Sequence, residues 1–436
     1  MTIGTRGDVA PYIPVAKALR ARGHEVVFGT HAEFEPMVRA AGFELRPIRG
    51  GFRELTSTEL GKKWLSSADR PLEYARWAEK LLLPLAQPWL EDADAALEGC
   101  DAVAFYMIAV HALVGAERRG IPAVCLAPWP AYATRELPPV VMPSLEILPR
   151  FLLPAAWSLV LRVIFGGYGP TFRAHRARVG LPPDPAPTAL HSIAERRVPI
   201  VQLFSEHVIA RPRDWPAHVD VAGFSFDTTE GYEPPEALAR FLAAKDDRPL
   251  VYAGFGSMTG HSPAELARIA IGAARRANVR LVYATGWGGG VELGGDDVFV
   301  IDELPHDWLF PRVDAVVHHG GAGTFAEGMR AGKPTVIVAF FGDQPFWGRV
   351  NARLGTGPPH LPRKGLTEAR LADAIRRATS EGATERARAR SPRSSGARDG
   401  AARAAELVER HLGARARADR ARAASRRQAR TRRARE

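Results

Sequence analysis

A glycine-rich turn between two apolar runs is the stretch of this chain whose residue types could do chemistry. Residues 318–324 read His-His-Gly-Gly-Ala-Gly-Thr, after a buried-strand pattern at residues 315–317 and before a helical pattern at residues 326–331. Glycines let a ligand approach the backbone closely, and the free amides at the start of a helix favour an anion. A histidine and a threonine add side-chain donors. The residues predicted to surround a phosphate group are His319, Gly320, Gly321, Gly323 and Thr324.

An Asp-Gln pair follows the next predicted strand along the chain. Residues 334–340 form an apolar run typical of a buried parallel strand, and Asp343 and Gln344 come shortly after it. Open α/β sheets bind ligands at the carboxyl ends of their strands. A carboxylate accepts hydrogen bonds and a carboxamide both accepts and donates them, so the pair suits the hydroxyl groups of a sugar. A phosphate next to a polyol predicts a nucleotide-sugar as the ligand.

These motifs resemble the donor-binding signature of nucleotide-sugar-dependent glycosyltransferases with the two-domain GT-B fold. The runs at residues 318–324 and 342–348 carry the resemblance, which is nearest to the bacterial branch with sterol glucosyltransferases and antibiotic-tailoring glycosyltransferases. The resemblance covers about residues 1–412. It implies an α/β protein with two doubly wound, Rossmann-like domains that face each other across a cleft, and a C-terminal helix that crosses back to the first domain.

Asp8 is the candidate catalytic base, in a turn that reads Gly-Asp-Val-Ala-Pro at residues 7–11. In plant and animal members of the family the corresponding turn reads Gly-His-x-x-Pro and its histidine is the base, so the resemblance implies this role for Asp8. A positioned carboxylate can take the proton of an alcohol as the bond to the sugar forms. The alternative is that Asp8 caps the helix predicted at residues 12–22. Thr5 and Arg6 are predicted to reach the donor's diphosphate.

Further donor-site residues come from the second half of the chain. A Gly-Ser turn follows the strand pattern at residues 250–255, and the resemblance places it beside the donor phosphates. A tryptophan in a later glycine loop is a candidate for stacking on the base, and a histidine and a glutamate lie where the family contacts base and ribose. For the glutamate, an exposed helix position is an equal alternative. Plant members have a tryptophan where this chain has Glu303, so the ring that stacks on the base in those proteins is missing here. These candidates are Gly256, Ser257, Trp287, His306 and Glu327.

The composition is that of a globular protein with a basic tail. The chain has 436 residues, 46% of them hydrophobic, which is enough for two domains of ordinary size. Its net charge is +11, but residues 413–436 hold ten arginines against Asp419 and Glu436, which leaves a net charge of +3 for the rest. The body therefore lacks the basic surface of a nucleic-acid-binding protein, and the Ala/Arg-rich tail is predicted to be disordered or transiently helical.

Cysteine usage and hydropathy predict a cytoplasmic protein. Cys100 and Cys125 form no metal or redox motif, and no signal peptide precedes the first motif. The most apolar window, residues 151–165, is too short to span a bilayer and contains Pro154 and Arg162, so we expect no transmembrane helix there. An amphipathic helix that leans on a membrane is an alternative for this window, which leaves peripheral membrane contact open.

The predicted domain boundaries follow from these signatures. Residues 225–248 are polar and contain prolines, which is typical of a linker. Residues 1–3 are all that stands for the first strand, where similar proteins begin with several apolar residues, so a weakened N-terminal sheet is expected. The predicted segments are an N-terminal acceptor domain at 1–224, the linker at 225–248, a donor domain at 249–400, a crossover helix at 401–412 and the tail at 413–436.

The predicted activity is an inverting transfer of a hexose from a nucleoside diphosphate-sugar to a hydroxyl group. The Pro-, Trp- and aliphatic-rich segment at residues 127–197 suggests a hydrophobic acceptor such as a sterol, a lipid or a polyketide aglycone. UDP-glucose is the expected donor, with a dTDP-deoxysugar as its rival. Neither a metal nor another cofactor is expected, because helix amides can stabilise the departing diphosphate. Three alternatives stay open: a non-catalytic homologue that assists a partner, a sugar-nucleotide epimerase, and a nucleic-acid binder that uses the tail.

Overall fold

The computed structural model describes residues 1–67, 70–229, 231–256, 263–286, 295–391 and 399–414. In these ranges the strands belong to parallel sheets. The strands at the centre of the second sheet are buried at every position, which requires cover on both faces of the sheet. This is the α/β, doubly wound architecture that the sequence predicts.

The N-terminal domain is built on six parallel strands. They are β1 (Val27–His31), β2 (Glu44–Ile48), β3 (Val103–Tyr106), β4 (Ala123–Ala127), β5 (Ile200–Gln202) and β6 (Val219–Val221). β1 pairs with β2, and β3, β4, β5 and β6 pair in that order. The described helices of this domain are α1 (Tyr12–Ala21), α2 (Glu35–Ala40), α3 (Phe52–Ser57), α4 (Glu59–Ser66), α5 (Pro71–Ala96), α6 (His111–Arg119), α7 (Leu153–Phe165), α8 (Gly169–Arg178) and α9 (Ala189–Glu195).

Residues 1–3 take the place of a strand between β1 and β3. The amide of Thr2 donates to the carbonyl of Gly29 in β1, and the carbonyl of Met1 accepts from the amide of Tyr106 in β3. The short stretch therefore joins the two groups of strands into one layer. It also brings the turn that follows it to the carboxyl edge of this layer, where α/β proteins bind ligands.

The apolar window at residues 151–165 belongs to a longer helical run. α7 continues through a 3-10 turn at Gly166–Tyr168 into α8. Among the described residues, one helical run, Arg150–Arg178, is long and apolar enough by length and composition to cross a membrane. The helical run is therefore longer than the apolar window that the sequence analysis considered. Leu153, Trp157 and Val160 of this run are buried against the rest of the domain.

The C-terminal domain has a six-stranded parallel sheet in the order β12-β11-β10-β7-β8-β9. Its strands are β7 (Leu250–Gly254), β8 (Arg280–Ala284), β9 (Val298–Ile301), β10 (Ala315–His318), β11 (Thr335–Ala339) and β12 (Leu361–Pro362). The helices of the linker and of this domain are α10 (Glu236–Ala243), α11 (Pro263–Ala277), α12 (His306–Leu309), α13 (Ala322–Ala331), α14 (Gln344–Leu354), α15 (Glu368–Ala378), α16 (Glu381–Ala389) and α17 (residues 400–414).

The strand order creates a switch point between β7 and β10. The chain leaves β7 towards β8 and β9 and then returns to build β10 on the other side of β7. Gly254 at the end of β7 is paired with His318 at the end of β10. The loops that follow these two strands therefore diverge at one crevice, which is where doubly wound sheets bind ligands.

The two domains share packing through the linker and α17. Phe224 contacts the rings of Phe325 and Trp347, with ring centroids 6.4 and 6.1 Å away. Leu407 of α17 is buried in the core that contains the N-terminal sheet, and Glu409 pairs with Arg22 of the N-terminal domain. The predicted C-terminal helix that crosses back to the first domain is confirmed.

Candidate active site

The carboxylate of Asp8 is held in place by three hydrogen bonds. The amide and the hydroxyl of Thr5 donate to Oδ2 at 2.7 and 2.8 Å, and the hydroxyl of Tyr106 donates to Oδ1 at 2.9 Å. Gly4, at φ +127°, allows this arrangement, because a Cβ there would lie 2.5 Å from Oδ2 of Asp8. The turn therefore presents one oriented carboxylate at the carboxyl edge of the N-terminal sheet.

Asp8 does not cap the helix that follows it. The residue before α1 is Pro11, and α1 has no side-chain cap. Thr5 and Asp8 instead form a capping box on the short 3-10 turn Arg6–Asp8. The alternative prediction of a cap on α1 was wrong. Thr5 donates to the carboxylate, and its contact with a donor diphosphate stays a prediction.

Burial and hydrogen bonding act on the pKa of Asp8 in opposite directions. Burial raises the pKa of this carboxyl above its ordinary value. The hydrogen bonds from Thr5 and Tyr106 lower the pKa, because they stabilise the ionised form, and the nearby His31 acts the same way. A carboxylate with a raised pKa is a stronger base than a free aspartate, which suits proton abstraction from an alcohol.

Aromatic rings form a wall around Asp8. Tyr106 contacts Tyr12 and Trp129, with ring centroids 5.7 and 5.5 Å away. Tyr74 of α5 contacts Phe341 of the C-terminal domain across the cleft at 5.7 Å. Such a wall suits a flat, apolar molecule.

Several of these aromatic residues were missed by the sequence analysis. It placed the acceptor site in residues 127–197, which contributes Trp129, while Tyr12, Tyr74, Tyr106 and Phe341 come from elsewhere. One signal was available for Tyr106: it ends the strand β3, and strand ends are where ligands bind in this fold.

The glycine-rich turn adopts the predicted geometry. Gly320 has φ +93°, and its amide donates to Nδ1 of the fully buried His318 at 3.0 Å. α13 begins after Gly321 without a side-chain cap, so the first amides of the helix keep their donor capacity. Gly323 is exposed, with no atom within 4 Å of a Cβ placed there. The first turn of α13 thus presents uncapped amides next to open space, which is the arrangement that the predicted phosphate site requires.

His319 lies between two glycines. A Cβ at Gly321 would lie 2.6 Å from Nε2 of the ring, and one at Gly256 would lie 3.4 Å from its Cε1. Burial lowers the pKa of His319 to about 4, so the ring is neutral at pH 7. A neutral imidazole supplies one N–H donor without a charge. Thr324, partly exposed, follows in the first turn of α13.

His306 is more tightly packed than its predicted role in base or ribose contact requires. Its ring stacks on Phe310 at 4.4 Å, and its Nε2 lies 3.3 Å from the hydroxyl of Tyr252. Burial, and then the charge of Arg6, lower its pKa to about 4. Because the charge of Arg6 acts on its pKa, His306 lies close to the cleft. There its neutral, partly exposed ring forms part of the donor side.

Arg6 faces the other domain and not the glycine-rich turn. Its guanidinium forms an ion pair with Glu303, which stands where plant members of the family have a tryptophan. Both side chains are more than half exposed, so the pair contributes little stability. Both also line an open cleft with Glu33, Phe34 and Met37. Arg6 thus bridges the two domains, and its contact with a diphosphate stays a prediction.

The Asp-Gln pair divides into two roles. Gln344 is 4% exposed, and its side-chain oxygen accepts from the amides of Phe340 and Phe341 at 2.7 and 3.2 Å. This oxygen therefore holds the turn after β11, and the contact of Gln344 with sugar hydroxyls stays a prediction. Asp343 is partly exposed, and its Oδ2 accepts from the indole N–H of Trp347 at 2.9 Å. Asp343 is therefore the member of the pair that faces the site.

The pKa of Asp343 is raised to about 7. Burial is the main cause, and the negative charge of Asp8 adds to it, which places the two carboxyl groups near each other across the cleft. The hydrogen bond from Trp347 acts in the opposite direction. Near neutral pH, Asp343 is present in both its protonated and its ionised form.

We expect Asp343→Asn to stabilise the ligand-free protein at pH 8. The native state binds the proton of Asp343 more tightly than the unfolded chain, so this group's contribution to stability falls as the pH rises from about 4 to about 7. Asparagine keeps an acceptor for Trp347 without the charge. The expected gain is about 2–4 kcal/mol at pH 8 and about 1 kcal/mol or less at pH 4.5, measured by thermal unfolding.

The exposed Asp101, changed to Asn, is the matched control for this measurement, with no change expected at either pH. A variant at position 343 that unfolds at a lower temperature than its parent at pH 8 would contradict the raised pKa.

Glu327 belongs to an internal ion pair. Its carboxylate lies 2.7 Å from Arg330, and the two side chains are 17% and 13% exposed. Arg330 also donates to the carbonyl of Asp227 and lies over the ring of Phe226, so the pair ties α13 to the linker. The alternative of an exposed helix position for Glu327 was therefore wrong, while its ribose contact stays a prediction.

Two predicted donor-site residues, Ser257 and Trp287, lie outside the described residues. Within the described part of the chain, no group of three or more His, Cys, Asp or Glu side chains could hold a metal ion.

Two family models match the chain. Residues 1–90 match the glycosyltransferase family 28 N-terminal domain, and residues 287–411 match the erythromycin biosynthesis protein CIII-like C-terminal domain. These two regions contain the Asp8 turn and the glycine-rich turn, respectively.

Curated relatives cover most of this chain. It is 35% identical over 389 residues to a sterol 3-beta-glucosyltransferase of Arabidopsis thaliana, which is 86% of this chain and 59% of that protein. It is 34% identical over 402 residues to a sterol 3-beta-glucosyltransferase of Pichia angusta, 87% of this chain and 30% of that protein. The chain thus spans less than two thirds of the length of these relatives.

Solved structures resemble the whole molecule. The glycosyltransferase of kitacinnamycin has a TM-score of 0.66 at 20% identity, over 94% of this chain and 97% of that one. The calicheamicin glycosyltransferase CalG4 has a TM-score of 0.64 at 19% identity, with the same coverage. The glycosyltransferase VinC in complex with dTDP has a TM-score of 0.63 at 18% identity, over 94% and 98%. At these identities the likeness establishes the fold.

Proposed function

We propose that this chain, which has the fold of the GT-B glycosyltransferases, is itself a glycosyltransferase that transfers a hexose from a nucleoside diphosphate-sugar to a hydroxyl group of a hydrophobic acceptor. The observation that carries the proposal is the Asp8 carboxylate, held by Thr5 and Tyr106 at the cleft and close enough to Asp343 to raise its pKa. One carboxylate from each domain thus meets at the place where donor and acceptor come together.

The acceptor is activated by Asp8 in this proposal. The acceptor hydroxyl donates its proton to Asp8 while its oxygen forms a bond to the anomeric carbon of the sugar. The bond from that carbon to the diphosphate oxygen breaks at the same time, and the electron pair leaves with the diphosphate. Attack from the face opposite the leaving group inverts the configuration at the anomeric carbon.

The leaving diphosphate is stabilised by donors on the C-terminal domain. The first amides of α13 have no side-chain cap and carry the positive end of the helix dipole. His319 adds an uncharged N–H donor, and Thr324 adds a hydroxyl. Preorganised donors of this kind commonly stabilise a transition state by several kcal/mol, and a single donor contributes about 3 kcal/mol. We propose that transfer proceeds without an added metal ion, so that a chelator leaves turnover unchanged.

The acceptor class follows from the wall of aromatic rings and from the relatives. Tyr74, Tyr106, Trp129 and Phe341 offer flat apolar surfaces beside the base. The relatives in Arabidopsis thaliana and Pichia angusta are sterol 3-beta-glucosyltransferases, which favours a sterol as acceptor and glucose as the transferred sugar. We propose UDP-glucose as the first donor to test. VinC was solved with dTDP, which keeps a dTDP-sugar as the second donor to test. With Cys100 and Cys125 both free, we propose that the protein acts in the cytoplasm.

The proposal is tested by a donor screen followed by transfer assays. UDP- and dTDP-sugars are screened for a rise in melting temperature, and each stabilising donor is then incubated with sterols and polyketide aglycones, with and without a chelator. Product formation with inverted anomeric configuration supports the proposal. Conversion of the donor without any acceptor would indicate an epimerase, and no affinity for any sugar nucleotide would overturn the assignment.

We expect Tyr106→Phe to shift the acidic limb of the pH–rate profile upward. The Tyr106 hydroxyl lowers the pKa of Asp8 by donating to the ionised carboxylate, so its removal raises that pKa. A larger protonated fraction of Asp8 at each pH lowers the rate on the acidic side. The expected shift is about one pH unit, with about a tenfold lower kcat at any pH on the acidic limb, measured from kcat against pH.

Tyr12→Phe is the matched control for this profile. The Tyr12 ring packs on Tyr106, but its hydroxyl has no hydrogen-bond partner among the described residues. The acidic limb should stay in place in this variant. An unshifted limb in Tyr106→Phe would show that Tyr106 has a packing role and does not position the base.

A further inference from the structure

We propose that the exposed apolar face of α7 and of the 3-10 segments before it docks on the surface of an anionic lipid bilayer. This face, called here the α7 face, consists of Ile147, Phe151, Leu152, Leu159 and Val163. The surface lies outside the site of the proposed reaction, so the inference stands on the fold and does not depend on the donor or the acceptor.

The α7 face concentrates the exposed apolar side chains of the described part of the chain. Its members include Ile147 at 85%, Phe151 at 71% and Leu159 at 62% exposure. Every large hydrophobic side chain that is exposed in the described residues lies between positions 141 and 163. Single exposed apolar residues are ordinary, but a concentration of this kind marks an interaction surface.

The same helix is fixed to the domain by its opposite side. Leu153, Trp157 and Val160 are buried, and the indole N–H of Trp157 donates to the carbonyl of Leu137 at 2.9 Å. Phe151, Leu159 and Val163 lie four or eight residues apart along the run, a spacing that places residues on one side of a helix. The helix is thus apolar on two sides, of which the fold covers one.

The charges around the α7 face favour an anionic surface. No Asp or Glu occurs between residues 147 and 183. Arg150, Arg162 and Arg173 are exposed and form no ion pair with the described residues. Glu146, at the edge of the face, is paired with Arg349. Apolar side chains flanked by arginines are typical of helices that lie in the interface of a membrane with anionic lipids.

The same charges disfavour two other arrangements. A second copy of this chain docked on the α7 face would bring its arginines against those of the first copy. By length and composition the run Arg150–Arg178 could cross a bilayer, but a transmembrane span would place the charge of Arg162 in the hydrocarbon. Crossing would also expose Trp157 and Val160 of the domain core. A helix that rests on the bilayer satisfies both the buried and the exposed side.

The position of α7 links this surface to the acceptor side of the cleft. Through Trp157, α7 holds the segment that contains Leu137, and Trp129 at the start of that segment contacts Tyr106 beside Asp8. Docking through the α7 face would therefore turn the acceptor side towards the lipids. This orientation rests on the proposed function, and it would let a lipid-soluble acceptor enter from the membrane.

Vesicle flotation of the full chain tests the docking. Phosphatidylcholine vesicles are compared with vesicles that also contain about 30% phosphatidylglycerol. Both are tested at low salt and at about 0.5 M salt, because the higher concentration screens the charge of the basic tail. Phe151→Ser with Leu159→Ser should lower the partition coefficient about tenfold or more at both salt concentrations. Phe151→Leu with Leu159→Met is the matched control and should bind like the parent. Arg150→Gln and Arg162→Gln should each cost about fivefold at low salt on the anionic vesicles.

Three results would overturn the proposal: a parent that does not float, a serine variant that binds like the parent, and light scattering that shows a parent dimer dissociated by the serine substitutions. The last result would assign the face to a second copy of the chain. Transfer to a detergent-dispersed acceptor is measured in parallel and should be unchanged in the serine variant. If the parent shows no transfer at all, the proposed function fails while the vesicle result still decides the docking.

Discussion

Asp8→Asn is expected to lower the rate of transfer by about 10²–10⁴-fold. Asparagine has the shape of aspartate and can still accept a hydrogen bond from Thr5 or Tyr106. It cannot take the proton of an acceptor hydroxyl, so the loss should appear in kcat with saturating donor. The affinity for the nucleotide-sugar should stay within about twofold, because that site is built on the other domain.

The fold should tolerate this substitution. Burial raises the pKa of Asp8, so ionising it costs stability, and an uncharged residue of the same size removes that cost. Asp101→Asn, at an exposed position, serves as the control and should leave kcat unchanged. Single-turnover rates separate the chemical step from product release. Undiminished transfer by Asp8→Asn would assign the base to another residue or show that the chain assists a partner enzyme.

Gly323→Asp is expected to abolish donor binding while leaving the protein as stable as its parent or slightly more so. Gly323 is the second residue of α13, and it is exposed with open space around its Cα. An acidic residue in the first turn of a helix is favourable by about 0.3–1 kcal/mol. The same carboxylate would face the diphosphate of the donor, where two like charges about 5 Å apart repel by about 3 kcal/mol.

The substitution should weaken donor binding without lowering the stability of the protein, so it is a sharp test of the anion site. The dissociation constant of the sugar nucleotide should rise more than about 100-fold, measured by calorimetry, while thermal unfolding is unchanged or shifted upward. Gly323→Asn is the matched control, because it has the same size without the charge, and it should cost less than about tenfold. Equal effects of Asp and Asn would mean that space and not charge matters, which would remove the helix amides from the donor site.

The glycine-rich turn shows why local motifs could be read from the sequence. Gly320 adopts a positive φ, Gly321 leaves room for His319, and α13 starts where the apolar periodicity changes. These properties depend on a few consecutive residues, so a short stretch of sequence is enough to predict the backbone there. The same holds for the Asp8 turn, whose hydrogen bonds from Thr5 span three residues.

Residues that face each other across the molecule could not be found in this way. Arg6 and Glu303 are 297 positions apart, and Tyr106 and Asp8 are 98 apart. Their pairing depends on how the two domains and the strands of one sheet are placed. A sequence pattern contains no information on that distance, so Arg6 was assigned to a phosphate and Tyr106 received no role.

Adjacent residues can also differ in exposure, because exposure depends on the tertiary structure. Asp343 and Gln344 are adjacent and both polar, yet one is partly exposed at the cleft and the other is 4% exposed behind the turn. Which of them points outward depends on the direction in which α14 leaves β11, and packing against the rest of the domain sets that direction.

By itself, the sequence determined the doubly wound α/β fold and the backbone of the glycine-rich turn and of the Asp8 turn, because apolar periodicity and turn residues act over short stretches of backbone. The tertiary structure alone decided the wall of aromatic rings around Asp8, the raised pKa of Asp343, the inward role of Gln344 and the uncovered side of α7. All four depend on burial and on distances between remote segments, and those quantities exist only once the chain has folded.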